Sequence, residues 1–96
     1  MLFMVIEHFR GGDPRPVYER FRERGRLAPE TVRYVGSWVD ASLQRCYQVM
    51  EAADLENLRE WTRHWEDLVD FDVHAVISSA DAARLVLGDE AQQGGA

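Results

Sequence analysis

Three side chains with acid or base character stand near the two ends of the chain, His8, Asp72 and His74. A histidine held by a carboxylate suits general acid or base work near neutral pH, because the carboxylate fixes the tautomer and orientation of the imidazole. Tyr34 and Trp38 offer two aromatic faces for a planar ligand, and Cys46 and Gln48 add a thiol and an amide two residues apart. His8, Asp72 and His74 are therefore the catalytic candidates, and Tyr34, Trp38, Cys46 and Gln48 the ligand-binding ones. Two His and one Asp are also the donor set of a facial metal triad, but their spacing matches no ligand motif. No metal and no cofactor is expected. A simpler account remains open, in which His and Asp satisfy each other in a half-buried wall and do no chemistry.

The other chemically suggestive residues have plainer explanations. Cys46 lies mid-strand with no activating base nearby in sequence, so it reads as a small buried hydrophobe. Trp61 and Trp65, at i and i+4, belong to the apolar stripe of a helix, and His64 lies at that stripe's border. Gly11-Gly12-Asp13 precedes a helix but lacks the G-x-x-x-x-G-K pattern, and the chain contains no Lys, so it reads as a turn and cap.

The candidates must be positioned by the elements that carry them. Met1 to Phe9 is apolar at nearly every position and is stopped by Arg10-Gly11-Gly12, which predicts a central strand buried on both faces. Asp13, Pro14 and Pro16 predict the start of a helix running to about Arg26, with Val17, Phe21, Gly25 and Ala28 as its stripe and Tyr18 beside it. Val32 to Ala41 and Gln44 to Glu51 are rich in β-branched and aromatic residues and predict a hairpin around Ser42. Asp54 caps a second helix, Leu55 to about Val69, with Leu55, Leu58, Trp61, Trp65 and Leu68 on one face. Phe71 to Ile77 alternates as a fourth strand, and Ser79 caps a short last helix through Leu87. A single domain over residues 1–87 and a flexible tail over residues 88–96 follow.

The order β-α-β-β-α-β is that of a ferredoxin-like α+β sandwich, with a four-stranded antiparallel sheet, both helices on one face, and here a short C-terminal helix added. So apolar a sheet, covered on one side only, calls for a second copy on its open face, giving a homodimeric α/β barrel. Splitting each strand by parity places Val35, Val39, Tyr47, Val49, Phe71, Val73, Ala75 and Ile77 under the helices. The even positions, His8, Tyr34, Trp38, Cys46, Gln48, Asp72 and His74, then line the opposite face, inside the barrel. The first strand fits least well, since its odd set contains Glu7 and its even set holds Leu2, Met4 and Ile6. In this strand order the first and fourth strands are antiparallel neighbours, so His8 is expected beside Asp72 or His74.

Composition narrows the partners. With 96 residues, 46% hydrophobic and 29% charged, the chain reads as an ordinary globular domain with no apolar run long enough to span a bilayer, and since the apolar opening Met1 to Ile6 has no preceding basic region and no small-residue cleavage site, no signal peptide is expected. A net charge of −6 opposes binding to nucleic acid or to an anionic membrane. The charge is uneven: residues 1–50 carry eight Arg and six acids, residues 51–96 three Arg and eleven acids. Every one of the 11 basic residues is Arg, the better partner for bidentate pairing with carboxylates. A single cysteine forms no internal disulfide, which suits a reducing, cytoplasmic setting.

The blocks MLFMVIEHF (Met1 to Phe9), YERFRERGR (Tyr18 to Arg26), YVGSWV (Tyr34 to Val39), CYQVME (Cys46 to Glu51) and WTRHWEDLVDF (Trp61 to Phe71) resemble a family of short bacterial proteins of unknown function. That family is usually placed with the dimeric α/β barrels, so the resemblance implies the same fold and a homodimer. The wider barrel group includes cofactor-free monooxygenases, lactone isomerases, haem-degrading enzymes and stress-induced barrels. None of their catalytic motifs maps onto residues of this chain, so the resemblance implies no activity. Two functions from different classes stand: a dimer that binds a small metabolite between its sheet faces, which the residues favour, and a cofactor-free enzyme of the monooxygenase or isomerase type with His8 as its acid or base.

Overall fold

The computed structural model describes residues 1–88. Four strands, β1 (Leu2–Phe9), β2 (Val32–Val39), β3 (Arg45–Ala52) and β4 (Val69–Val76), form one antiparallel sheet in the order β2-β3-β1-β4. Helix α1 (Arg15–Arg24) links β1 to β2, α2 (Leu55–Thr62) links β3 to β4, and α3 (Ser79–Leu87) follows β4. This is the ferredoxin-like α+β arrangement. β1 is central because it is apolar on both faces and so suffers no exposure cost between two neighbours.

Local chemistry explains most boundaries. Gly11 and Gly12 adopt positive φ of 66° and 67° in the tight turn after β1, a region that side chains disfavour. Asp13 Oδ1 accepts from the Arg15 backbone N–H at 3.0 Å at the start of α1, and Asp54 Oδ1 caps α2 through Asn57 N–H at 2.8 Å. The cap of α3 is Ser78, whose hydroxyl accepts from Asp81 N–H, rather than the neighbouring Ser79. The β2–β3 hairpin closes on Asp40, whose backbone carbonyl accepts from Leu43 and whose side chain accepts from Ser42.

The second helix ends earlier than its apolar periodicity predicts. Regular helix stops at Thr62, and residues 63–68 continue as turns before β4 opens at Val69, two residues ahead of the expected Phe71. Trp65 and Leu68 keep their place against the core because Trp65 N–H donates to Thr62 and Leu68 N–H to Trp65, at turn spacing. The first helix likewise stops at Arg24, where Gly25 takes a φ of 72°.

Between the sheet and the two helices lies the core: Phe3, Val5, Phe9, Val17, Val32, Met50, Ala52, Leu58, Trp61, Trp65 and Val69. Its largest wholly enclosed side chain is Trp61. Helix α1 is clamped to the turn after α2 by Arg20, which forms a bidentate pair with Asp67 (2.7 and 2.6 Å) and also donates to the His64 carbonyl at 2.9 Å. The pairing suits a planar guanidinium fork, as the all-Arg composition leads one to expect. Helix α3 buries no residue of its own, and Leu85, Val86 and Leu87 are exposed. The tail expected over residues 88–96 lies, beyond Gly88, outside the described residues.

Candidate functional site

Register decides which side chains face the helices. On β1 the odd positions are buried, so Glu7 joins Phe3, Val5 and Phe9 beneath the helices, and the misfit of the parity pattern is real. On β3 the parity is reversed: Val5 pairs with Gln48 and Glu7 with Cys46, which puts the even residues of β3 on the same face as the odd residues of β1. Cys46 and Gln48 therefore face the helices, not the open side of the sheet, and Tyr47 and Val49 occupy the open side instead. The correction has a simple cause. Parity cannot be carried across a loop, because the number of turn residues sets it anew.

β2 changes parity within itself. Its pairing with β3 runs Tyr34↔Met50 and then Gly36↔Val49, so Val35 is an extra residue, a β-bulge. Before the bulge Tyr34 shares the helix face with Met50; after it, Ser37 and Val39 share that face with Gln48 and Cys46. Tyr34 was expected on the open face and is thus also corrected, while Trp38, opposite Tyr47, does lie there, 64% exposed. The indole of Trp38 lies over Gly36, where an added Cβ would stand 3.4 Å from the ring.

The seven candidates therefore fall into two groups on opposite faces. On the open face, His8 Nε2 and Asp72 Oδ2 lie 2.9 Å apart, on neighbouring strands. His74 shares that face further along β4, opposite Met4, and the structure does not bring it into the pair. Among the described residues no group of three His, Cys, Asp or Glu is close enough to hold a metal ion.

Beneath the helices the structure assembles a site around Glu7, which is 7% exposed. Gln48 Nε2 donates to Glu7 Oε2 at 2.6 Å, and Arg26 Nε donates to Gln48 Oε1 at 2.9 Å. Burial pushes the Glu7 carboxyl up to about 7, and the nearby Arg26 charge opposes the shift only in part. Burial, with the Glu7 charge behind it, pushes the Cys46 thiol up to about 12, so it stays a protonated, unreactive thiol. The Tyr18 phenol is raised as well, by burial and then by Cys46 and Glu7.

Arg26 holds its place through the backbone as well as the side chain. Both indoles, Trp61 Nε1 and Trp65 Nε1, donate to the Arg26 carbonyl at 3.0 Å. Its guanidinium lies 3.7 Å from the centre of the Tyr34 ring and 5.1 Å from that of Phe21, and the Tyr34 hydroxyl is in turn bonded to Ser37 Oγ at 2.8 Å. Beside them lies a half-open cavity of about 150 Å³ between sheet and helices. Phe9, Val17, Phe21, Val39, Trp61 and Trp65 give it an apolar wall, and Glu7, Gln48, Arg26, Ser37, Cys46 and Tyr18 supply the polar groups. Tyr18 and Phe21, each partly exposed, form its rim.

A largely apolar hollow with a few convergent polar groups, one of them a carboxyl with a shifted affinity for its proton, has the features of a ligand site. The fold and this hollow define a small α+β domain with a polar-based cavity between its layers. The chain belongs to the family described as a domain of unknown function (DUF3303), whose model matches residues 1–89. No curated protein and no solved structure matches it. No helix among the described residues is long and apolar enough to cross a membrane.

Proposed function

We propose that this chain binds a small, mainly apolar molecule in the cavity between sheet and helices, with Glu7 as the polar anchor. One observation carries the reading: an acidic side chain near the C-terminal end of the central strand β1 is buried beside unfilled space and held by a dedicated amide from Gln48. A carboxyl so placed costs stability, and a ligand that hydrogen-bonds to it recovers part of that cost. The volume is similar to that of cavities that admit benzene, which sets the size of the apolar body. The chain has three tryptophans, and two line the cavity, so in Trp38→Phe all remaining indole emission reports on it. Titration of that variant with toluene is expected to give a saturable change in emission. A response no different from that of free tryptophan would sink the reading.

The chain is further proposed to act as a homodimer through the open face of the sheet, in a reducing, cytoplasmic setting. Support comes from the half-buried apolar row Leu2, Met4, Ile6, Tyr47 and Val49, from the exposed Trp38, and from the uncovered Leu85, Val86 and Leu87 of α3. The free thiol of Cys46 supports the compartment. A second copy would also enclose the His8–Asp72 pair, whose side chains are 37% and 61% exposed in the single chain. An acid/base enzyme using His8 is the second reading, favoured by that 2.9 Å contact. Loss of turnover in His8→Ala with the dimer intact supports it, and unchanged turnover removes it.

A further inference from the structure

The cavity proposed above as a ligand site is uneven in what it offers a ligand. Most of its neutral donors are already committed. Both indole N–H groups are spent on the Arg26 carbonyl, the Gln48 amide is engaged at both ends, and Ser37 is bonded to Tyr34. Arg26 gives its Nε to Gln48 and lays its guanidinium on the rings of Tyr34 and Phe21, while its Nη groups and the Tyr18 hydroxyl make no hydrogen bond among the described residues. Glu7 differs. Gln48 occupies Oε2, whereas Oε1 takes no hydrogen bond among the described residues. No fully buried side-chain oxygen or nitrogen among them lacks a partner, so Oε1 reaches the cavity surface.

The groups that face Glu7 make it a strong acceptor without adding a second free anion. Tyr18 from α1 and Cys46 from β3 are both held protonated, and Arg26, from the loop after α1, is the nearby cation. From α2 come only the flat, apolar faces of Trp61 and, just beyond the helix, Trp65. An anionic ligand would meet the Glu7 charge in a low-dielectric space, while a purely apolar one would leave Oε1 without a partner. We infer that the cavity selects a small planar ring bearing one hydroxyl, a phenol or an enol, whose O–H is donated to Glu7 Oε1 while the ring lies among Trp61, Trp65 and Phe21. This rests on the cavity reading and adds the chemical class of its occupant.

The test uses the full-length Trp38→Phe protein and three probes of one ring size: phenol, toluene and benzoate. At pH about 8.5, where Glu7 is ionised and phenol is not, phenol is expected to bind about tenfold or more tightly than either of the others, because the bond to a carboxylate is charge-assisted. Adding Glu7→Gln is expected to collapse the phenol-to-toluene ratio to about one. With Glu7 kept in place, the ratio is expected to fall when the pH is lowered to about 5.5, as Glu7 takes up its proton. Equal binding of phenol and toluene, or a ratio unmoved by both Glu7→Gln and pH, overturns the inference and leaves the cavity reading intact. Tightest binding by benzoate overturns it in favour of Arg26 as anchor. Failure of all three probes to bind removes the cavity reading and the inference with it.

Discussion

Gln48 and Glu7, 41 residues apart in the chain, meet at 2.6 Å although neither lies directly opposite the other in the sheet. Their backbone partners are Val5 and Cys46, so the amide reaches the carboxyl along the diagonal of the β1–β3 ladder. Because Gln48 is itself held by Arg26, the carboxyl is oriented by a three-residue chain anchored outside the sheet.

A buried carboxyl whose affinity for its proton is raised on folding makes stability depend on pH. The folded protein keeps the Glu7 proton up to about 7, whereas the unfolded chain releases it near 4.5. Between those values the folded state binds more protons, so this group's stabilising contribution is full below about 4.5, declines as pH rises, and is exhausted above about 7. Glu7→Gln is expected to flatten that slope and to be the more stable form above neutrality by about 1–3 kcal/mol. Urea denaturation at a series of pH values from 4 to 8.5 checks it, and a slope shared by both proteins contradicts it.

The shared carbonyl of Arg26 should reveal itself in single indole deletions. Trp61→Phe and Trp65→Phe each remove one N–H donor, leave the other in place and shave part of the wall. Each is expected to cost about 1–3 kcal/mol, combining one hydrogen bond with lost packing. The double variant should lose more than the sum, since only then is the carbonyl left without either indole donor. A thermodynamic cycle from chemical denaturation measures the coupling directly.

The Arg20–Asp67 clamp predicts acid sensitivity at the other end of the scale. Its hydrogen bonds to Arg20 hold the Asp67 carboxyl below its ordinary value, so the pair stabilises the fold above about 3.8, and that contribution disappears as pH falls through the lowered value. Asp67→Asn is expected to lower the urea midpoint at pH 7 and to leave it close to that of the unaltered protein near pH 2. A difference that persists undiminished in acid would mean that packing, rather than charge, secures α1.

Trp38 separates assembly from folding. Exposed in the single chain and sharing the uncovered face with Tyr47, it contributes little to the intramolecular core. Trp38→Asp is expected to leave the unfolding transition of the isolated chain within about 0.5 kcal/mol while shifting a dimer toward monomer in native mass spectrometry. A protein that is monomeric before the substitution contradicts the dimer proposal.

Much of the fold was legible because each element carries its own local signal. The doubly apolar β1, the proline-led α1, the capped α2 and the alternating β4 each speak through a periodicity or a terminus, and their order specifies the sheet. The His8–Asp72 contact was legible for the same reason, since it follows from strand order. The cavity was not. Which face Cys46, Gln48 and Tyr34 occupy depends on loop length and on the Val35 bulge, and neither leaves a residue pattern to read. Glu7 did leave a signal, as the one charge in an otherwise apolar strand, and it was the position where the parity pattern fitted worst. Local rules tend to fail where a residue is kept for something other than stability. Arg26 had no such mark, being one of several arginines at the end of a charged helix.

Val35, at the bulge, is the one residue of β2 that the pairing of the site does not use. Remove it, and Gly36 would follow Tyr34 directly, so Ser37 and Val39 would keep their places opposite Gln48 and Cys46 in an uninterrupted ladder, with Trp38 still on the open face. The lining of the hollow beside Glu7 would be retained, and only the local bend and twist that a bulge adds to the strand would be lost. A one-codon deletion there therefore leaves the hollow open, and within this family an alignment gap at Val35 is compatible with the same lining.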